Sequence, residues 1–244
     1  MNAATVPQMP VNPMISHLDL ELSWLMALLE VRIREMQAAG LLPGASDLNP
    51  GTIIYPQEVE ARLRERDDIP KDPTPDEVQA KSRLAEIEHE RRLFYASRTT
   101  FDASTPLAFL RQQFALDDAQ YLLFLLVVAP AFNPSFARLY AFIQNHFERD
   151  YPTLTLFIEI FSRGRNAAYL NRLIAPGSVL LSEGLIEVRY AASYLPPNMQ
   201  PLTLPTRIQA YIGGIDMIDG YIAPFTELRS RLSLINDTML SERQ

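Results

Sequence analysis

The stretch that decides the fold reads YLLFLLVVAPAFNPSFARLYAFIQ, residues 121–144. Its first twelve residues carry no charge, and no other part of the chain is as apolar. A membrane-spanning helix needs roughly 20 apolar residues, whereas this run is shorter and is interrupted by Pro130. We therefore predict that YLLFLLVVA is a fully buried helix at the centre of a small domain, covered by neighbouring elements on every side.

Turn-forming residues set the expected limits of the helices around this run. Asp117 can cap the buried helix, and Pro130 predicts that it ends near Ala129, because the residue before a proline disfavours helical geometry. Asn133 and Pro134 then predict a new helix, with Asn133 as its N-cap and Pro134 at the first helical position. Apolar residues at helical spacing predict one buried face on this second helix: Phe136, Leu139, Tyr140, Ile143 and Phe147.

Residues 16–100 are predicted to form a helical hairpin region, preceded by a mobile N-terminal arm at residues 1–15. In the first long helix, apolar residues recur every three or four positions until Gly40 ends it. A proline-rich linker at residues 69–75 then leads into a second long helix over residues 76–98. The less polar side of that helix holds four apolar residues: Val78, Leu84, Ile87 and Phe94.

Residues 101–212 are predicted to form a winged-helix-like domain, and residues 213–244 a C-terminal helical tail or linker. After several short helices, LIEVRY (185–190) alternates like a strand and QPLTL (200–204) can be its partner. The loop between them is long and proline-rich, as in the hairpin of a winged helix. The predicted fold class is therefore mainly α, with a helical N-terminal region followed by a winged-helix-like domain with one small β-hairpin.

Composition and charge restrict the possible partners and locations. The 244 residues include no Cys, which rules out disulfides and thiolate chemistry and fits a reducing, cytoplasmic location. The N-terminus lacks the pattern of a secretory signal, and no membrane partner is expected. The formal net charge is −7, and residues 101–212 carry eight acidic and eight basic side chains. Since phosphate neutralisation demands a positive excess, the charge argues against nucleic acid.

The sequence predicts no catalytic, cofactor or metal site. The motifs GxxxxGK[ST], GxGxxG and GxSxG are absent from it. LSLIND (232–237) has the pattern of a Walker B strand, but no phosphate-binding loop precedes it. Glu86 and His89 have the spacing used in di-iron helical bundles, which need two such pairs; a single pair indicates a solvated helix face. The chain is therefore predicted not to be an enzyme.

A basic group is the best candidate for partner binding. Arg163, Arg165 and Arg172 lie around Tyr169, and arginine with an aromatic residue on one short helix could contact phosphates or stacked bases. Acidic residues nearby favour the alternative in which the arginines pair locally and Tyr169 packs by its ring. The apolar residues of 121–147 could also form a groove for a partner, although a stripe at helical spacing is more often core.

Three segments carry an ordered set of motifs. The longest is FALDDAQYLLFLLVVAPAFNPSFARLYAFIQNHFERDYPTLTLFIEIF (114–161), with its AP and NP turns, its helix ending ARLYAFIQ and its YPTL turn. The others are AGLLPGASDLNPGTIIYPQEVEARL (39–63) and LTLPTRIQAYIGGID (202–216). Together they resemble the winged-helix region at the N-terminus of a family of bacterial AAA+ ATPases, which are encoded with phage-tail-like contractile injection systems. Asn133 stands where that family usually has Asp, and the family's P-loop module does not follow here, so ATPase activity is not expected in this chain.

The resemblance implies a non-catalytic protein–protein interaction or regulatory module. Such a module would recruit an AAA+ motor domain, in cis or in trans, to a particle component or client. Two alternatives stay open: a structural scaffold or assembly protein of the particle, and a winged-helix DNA-binding protein. The order of helices and hairpin and the basic group motivate the DNA-binding alternative, and the neutral charge of residues 101–212 argues against it.

Overall fold

A computed structural model describes residues 13–42, 59–60, 72–96, 105–162, 167–190 and 194–215, with only the backbone at 13–16 and 167–169. The chain divides into two compact units, Met1–Pro205 and Thr206–Gln244. Of the predicted arm and tail, residues 1–12 and 216–244 lie outside the described residues. The predicted domain boundaries stay a prediction.

The described residues are mainly helical. The α-helices are α1 Pro13–Ala39, α2 Pro75–Ala96, α3 Pro106–Gln113, α4 Asp118–Phe132, α5 Ser135–Ile143, α6 Leu154–Phe157, α7 Val179–Ser182 and α8 Thr206–Ile212. A π-helical turn, Ile158–Ser162, extends α6, and 3₁₀ helices span Ala167–Ile174 and Pro197–Met199. Strands β1 (Glu187–Val188) and β2 (Leu202–Thr203) form a two-stranded antiparallel sheet, with Glu187 opposite Thr203. The predicted fold class is confirmed.

Helix α4 is the central buried helix. Tyr121 and residues 123–129 are all buried, and only Leu122 in this run is partly exposed. A capping box starts the helix: the Asp117 carboxylate accepts a hydrogen bond from the Gln120 backbone N–H at 2.8 Å, and the Gln120 side-chain oxygen accepts from the Asp117 N–H at 2.9 Å. The predicted burial and the predicted cap are both confirmed.

The predicted end of α4 near Ala129 is wrong, because the helix runs through Pro130 to Phe132. A proline inside a helix lacks the N–H that would bond to the carbonyl four residues earlier, which here belongs to Leu126. The hydroxyl of Tyr140, on α5, donates to that carbonyl oxygen at 2.8 Å. The buried carbonyl therefore keeps a partner, and α4 can continue past the proline.

The start of α5 also differs from the prediction. Asn133 is the C-cap of α4, and Pro134 holds the N-cap position of α5. The Asn133 side-chain oxygen nevertheless accepts a hydrogen bond from the backbone N–H of Ser135 at 3.0 Å. Asn133 thus ends one helix and satisfies a free donor at the start of the next. The predicted apolar face of α5 is buried at three of its positions: Phe136, Tyr140 and Ile143.

Helices α1 and α2 pack against each other, and α1 also contacts α3, α4 and α5. Gly40 follows α1 with a φ of 77°, as a helix-ending glycine does. On α2 the predicted position of Val78 is wrong, since Val78 is 54% exposed. The inward positions of α2 are 77, 80, 84 and 87, which recur at steps of three and four, and Val78 lies one position off this series. Glu77 and Ala80 therefore take the buried positions, and a capping box holds the start of the helix: the Thr74 N–H donates to the Glu77 carboxylate at 3.2 Å and the Glu77 N–H to the Thr74 hydroxyl at 3.3 Å.

Candidate functional site

The structure places part of the predicted basic group. Arg163 and Arg165 lie outside the described residues, and only the backbone of Tyr169 is described, in the 3₁₀ helix Ala167–Ile174. Arg172 is exposed on the same helix. Because residues three apart are eclipsed on a 3₁₀ helix, positions 169 and 172 share one side of it. Partner binding by these four residues stays a prediction.

The wing, defined as residues 189–190 and 194–201, carries large exposed aromatic residues. Its flanking strands are shorter than predicted, with two residues each. Arg189 donates its N–H to the Pro201 carbonyl at 2.9 Å, and Pro201 has no N–H to return the bond, so the ladder stops there. Tyr190 is 78% exposed and Tyr194 is 84% exposed. Since tyrosine is enriched at protein–protein interfaces, the wing is a candidate contact surface.

The loop between α5 and α6 is held by the side chain of Gln144. Its amide nitrogen donates to the carbonyls of Arg149 and Tyr151 at 2.7 and 3.0 Å. Its amide oxygen accepts from the hydroxyl of Thr153 at 3.0 Å. The same hydroxyl accepts from the backbone N–H of Leu156 at 3.0 Å and caps α6. These bonds fix the loop at both ends.

The ordered loop displays a further aromatic residue. Phe147 is 66% exposed, and its ring stacks on that of His146 with centroids 5.8 Å apart. The prediction that Phe147 continues the apolar face of α5 is wrong, because α5 ends at Ile143 and the chain turns away. An aromatic ring on a pre-ordered loop can bind a partner with little ordering cost.

A buried polar cluster was missed by the sequence reasoning. We call it the Glu21 cluster, and it joins α1, α2 and the residue before α3. The fully buried Glu21 carboxylate accepts bonds of 2.7 and 2.9 Å from the Arg91 guanidinium and of 2.6 Å from the Tyr95 hydroxyl. His17 lies 2.8 Å from the Thr105 hydroxyl and 3.1 Å from the Tyr95 hydroxyl. The polar groups of the cluster thus bind one another across α1, α2 and the residue that caps α3.

Electrostatics favour a charged Arg91 and neutral phenols in and beside the Glu21 cluster. Burial opposes the charge on Arg91, but its hydrogen bonds and attraction to Glu21 outweigh this effect and raise the pKa of Arg91. Burial and, after it, the charge of Glu21 raise the pKa values of Tyr95 and Tyr121. The Arg91 guanidinium also lies 4.3 Å above the ring of Trp24, a cation–π contact. The cluster holds helices together as an ion pair with neutral phenols.

One sequence signal could have revealed the Glu21 cluster. Glu21 lies among the leucines of the apolar face of α1, and His17 precedes it by one turn. A carboxylate and an imidazole one turn apart in an apolar stripe indicate a buried polar contact, because an unpaired buried charge is too unfavourable to persist. The sequence pattern does not identify the partner, since Arg91 is 70 positions away from Glu21.

Candidate metal clusters and membrane-length apolar helices were sought in the part of the chain that the structure describes. There, no group of three or more His, Asp or Glu side chains could hold a metal ion. Glu86 and His89 are both exposed on α2, which agrees with a solvated helix face. None of the described helices combines the length and the apolar character needed to cross a membrane.

Comparison with known proteins identifies the family. The chain matches the family model described as "Winged helix domain, variant" over residues 5–226. No curated protein and no solved structure matches the chain. The matched range includes the buried helix α4, the Glu21 cluster and the wing. The match covers most of the chain, and a small antiparallel hairpin follows a set of short helices along the sequence. The chain belongs to the variant winged-helix domain family.

Proposed function

We propose that this chain is a non-catalytic protein–protein interaction module. It recruits an AAA+ motor, in cis or in trans, to a component or client of a phage-tail-like contractile injection particle in the cytoplasm. The ordered resemblance of residues 39–63, 114–161 and 202–216 supports the link to these ATPases. The observation that carries the interaction role is the wing, where two tyrosines are exposed by 78% and 84%.

The chemistry of the wing favours a protein partner over a nucleic acid. Tyr190 and Tyr194 offer two rigid rings that lose little side-chain freedom on binding. The exposed charges beside them, Glu187 and Arg189, have opposite signs, and residues 101–212 have no net charge. A phosphate backbone would gain no general attraction from such a surface. A protein surface can cover both rings, because apolar groups can pack on the ring faces and polar groups can hydrogen-bond to the hydroxyls.

Co-sedimentation tests this proposal. The full chain is mixed separately with purified contractile particles and with the motor domain encoded beside them, and the bound fraction is measured. Replacing both wing tyrosines with Ala should weaken binding by at least about 30-fold, since truncating interface hot spots costs about 2 kcal/mol or more. Leu93→Ala on α2, where Leu93 is 57% exposed, is the matched control and should bind normally. Failure of the unmodified chain to bind either component would refute the proposal.

A DNA-binding role is the second candidate, because Arg172 is exposed on the 3₁₀ helix Ala167–Ile174. In winged-helix and related folds, a helix of this kind can enter the major groove. Fluorescence anisotropy with double-stranded DNA at low salt tests it, and a complex that weakens steeply with added salt would support it. Stoichiometric retention of the chain in purified particles would favour the scaffold alternative instead.

A further inference from the structure

A groove between α1 and α2, at the end of α4, is not used by the function proposed above. We call it the α1–α2 groove; its volume is about 500 Å³, within the range of roughly 300–1,000 Å³ that ligand sites occupy. Its floor is apolar: Leu22, Met26, Ala27, Ile87 and Phe132. Its rim is polar: Asp19, Ser23, Glu30, Arg83 and Asn133.

The shape of the groove follows from two features of the fold. On α1 the lining residues are spaced by three or four positions, so they lie along one face of the helix. At one end, Phe132 joins the floor because α4 continues through Pro130. Met26 is half-buried in the floor, and its unbranched, flexible side chain can adapt to an apolar surface.

The rim of the groove is acidic. Asp19 is exposed and makes no ion pair with any described residue. Glu30 pairs with Arg83 at 2.9 Å, so the rim keeps one uncompensated carboxylate. The two helices taken whole have the same sign, because α1 and α2 together contain nine acidic and six basic residues. A complementary surface therefore has apolar residues flanked by positive charges.

We propose that the α1–α2 groove binds an amphipathic helix of a protein partner, with leucine-like side chains on the floor and lysine or arginine beside Asp19. Two packed helices leave a groove whose ridges suit a third helix, and such grooves recognise anchors at helical spacing. This inference rests on the proposed function, because it adds a second contact, on a face other than the wing, for a recruited protein.

Peptide binding to the full chain tests the groove. The probe is a fluorescent helical peptide of about five turns, with Leu at helical spacing and Lys on both flanks; a second peptide has Glu in place of every Lys. Asp19→Lys should weaken binding of the Lys peptide by about fivefold, the effect of an exposed ion pair at its upper limit. Glu148→Lys makes the same charge change at an exposed site outside the groove, and should leave the affinity unchanged.

A floor variant separates docking from simple charge attraction. Met26→Glu adds a negative charge, which would strengthen non-specific attraction, yet it should weaken binding by at least about tenfold because a carboxylate would be buried under the peptide. Circular dichroism checks that each variant is folded. Equal binding of the Lys and Glu peptides, equal binding by all variants, or no binding would each overturn the proposal.

Failure of the groove inference can be distinguished from failure of the proposed function. If particles or motor domain bind the chain and Met26→Glu leaves that binding intact, the groove inference fails while the recruiting role stands. A groove that instead mediates self-association would appear in analytical ultracentrifugation as a dimer lost in Met26→Glu. That result would also overturn the partner-helix proposal.

Discussion

Replacing Tyr140 with Phe removes one oxygen from the core and tests how α4 passes through Pro130. The Tyr140 side chain is fully buried, and its hydroxyl donates to the Leu126 carbonyl at 2.8 Å. Because Pro130 has no N–H, no donor within the helix can take over that carbonyl. In the variant it would be a buried acceptor without a partner, at a cost of about 1–3 kcal/mol. We expect the free energy of unfolding to fall by that amount.

Making Tyr140→Phe in a Pro130→Ala background tests whether the missing proline N–H is the cause of the loss. Pro130→Ala restores an N–H that can bond to the Leu126 carbonyl, so in that background Tyr140→Phe should cost less than about 0.5 kcal/mol, the size of a change that leaves no group unsatisfied. The double-mutant cycle should therefore show a coupling free energy of about 0.5–3 kcal/mol between positions 130 and 140. The effect of Pro130→Ala on its own cancels in this cycle.

Urea unfolding followed by the fluorescence of Trp24 provides the measurement. Trp24 is the only tryptophan in the chain and is 7% exposed, so its emission reports loss of packing. Tyr194→Phe is the control, because it removes the same hydroxyl at a position that is 84% exposed; its stability should not decrease. Equal losses for Tyr140→Phe with and without the Pro130→Ala substitution would refute the reasoning.

Other perturbations probe the Glu21 cluster and the core of α4. Glu21→Gln leaves the largely buried Arg91 charge with a neutral partner and should lower the free energy of unfolding by about 2–3 kcal/mol. Adding Arg91→Met should recover part of this loss. Strictly additive losses for the two substitutions in chemical unfolding would contradict an energetic coupling between Glu21 and Arg91. Burial raises the pKa values of Tyr95 and Tyr121, so the folded protein keeps phenolic protons that the unfolded chain loses above about pH 10. Stability should be complete below that pH and fall as the pH rises further, by up to about 1.4 kcal/mol per pH unit for each tyrosine; urea midpoints that stay constant across that range would contradict this sign. Leu125→Asp places a carboxylate at a fully buried position and should abolish cooperative thermal unfolding measured by circular dichroism; a cooperatively folded variant would instead indicate an exposed apolar face.

The buried helix could be predicted from sequence because its signals are local. An uncharged run and a capping residue a few positions before it define the start of α4 without any other part of the chain. Its end could not be predicted in this way. The donor that satisfies the Leu126 carbonyl comes from Tyr140, 14 positions later and on another helix. A proline rule describes one helix in isolation, whereas here a neighbouring side chain replaces the missing N–H.

The candidate surfaces show the same distinction between local and long-range signals. On α2 the inward positions 77, 80, 84 and 87 recur at steps of three and four, and Val78 lies one position off that series, so a prediction from apolar residues alone misplaces it. The hydrogen-bond partners of Glu21 lie on α2, 70 and 74 positions away, so only the presence of a buried contact was predictable. Tyr190 and Tyr194 lie beyond the two-residue strands and are exposed, and the longer alternating segment does not indicate where the strands end.

Pro130 and Tyr140 are linked through the Leu126 carbonyl, and this link limits what the sequence resemblance can show. Both residues lie in the segment 114–161 that carries most of the resemblance, and their role is to hold the core helices α4 and α5 together. Motifs of this kind therefore identify a fold, because packing alone requires them. The exposed Tyr190 and Tyr194 and the groove residue Asp19 lie outside all three matching segments. A chain could keep every motif and change those residues, and it would then keep the winged-helix fold while binding a different partner.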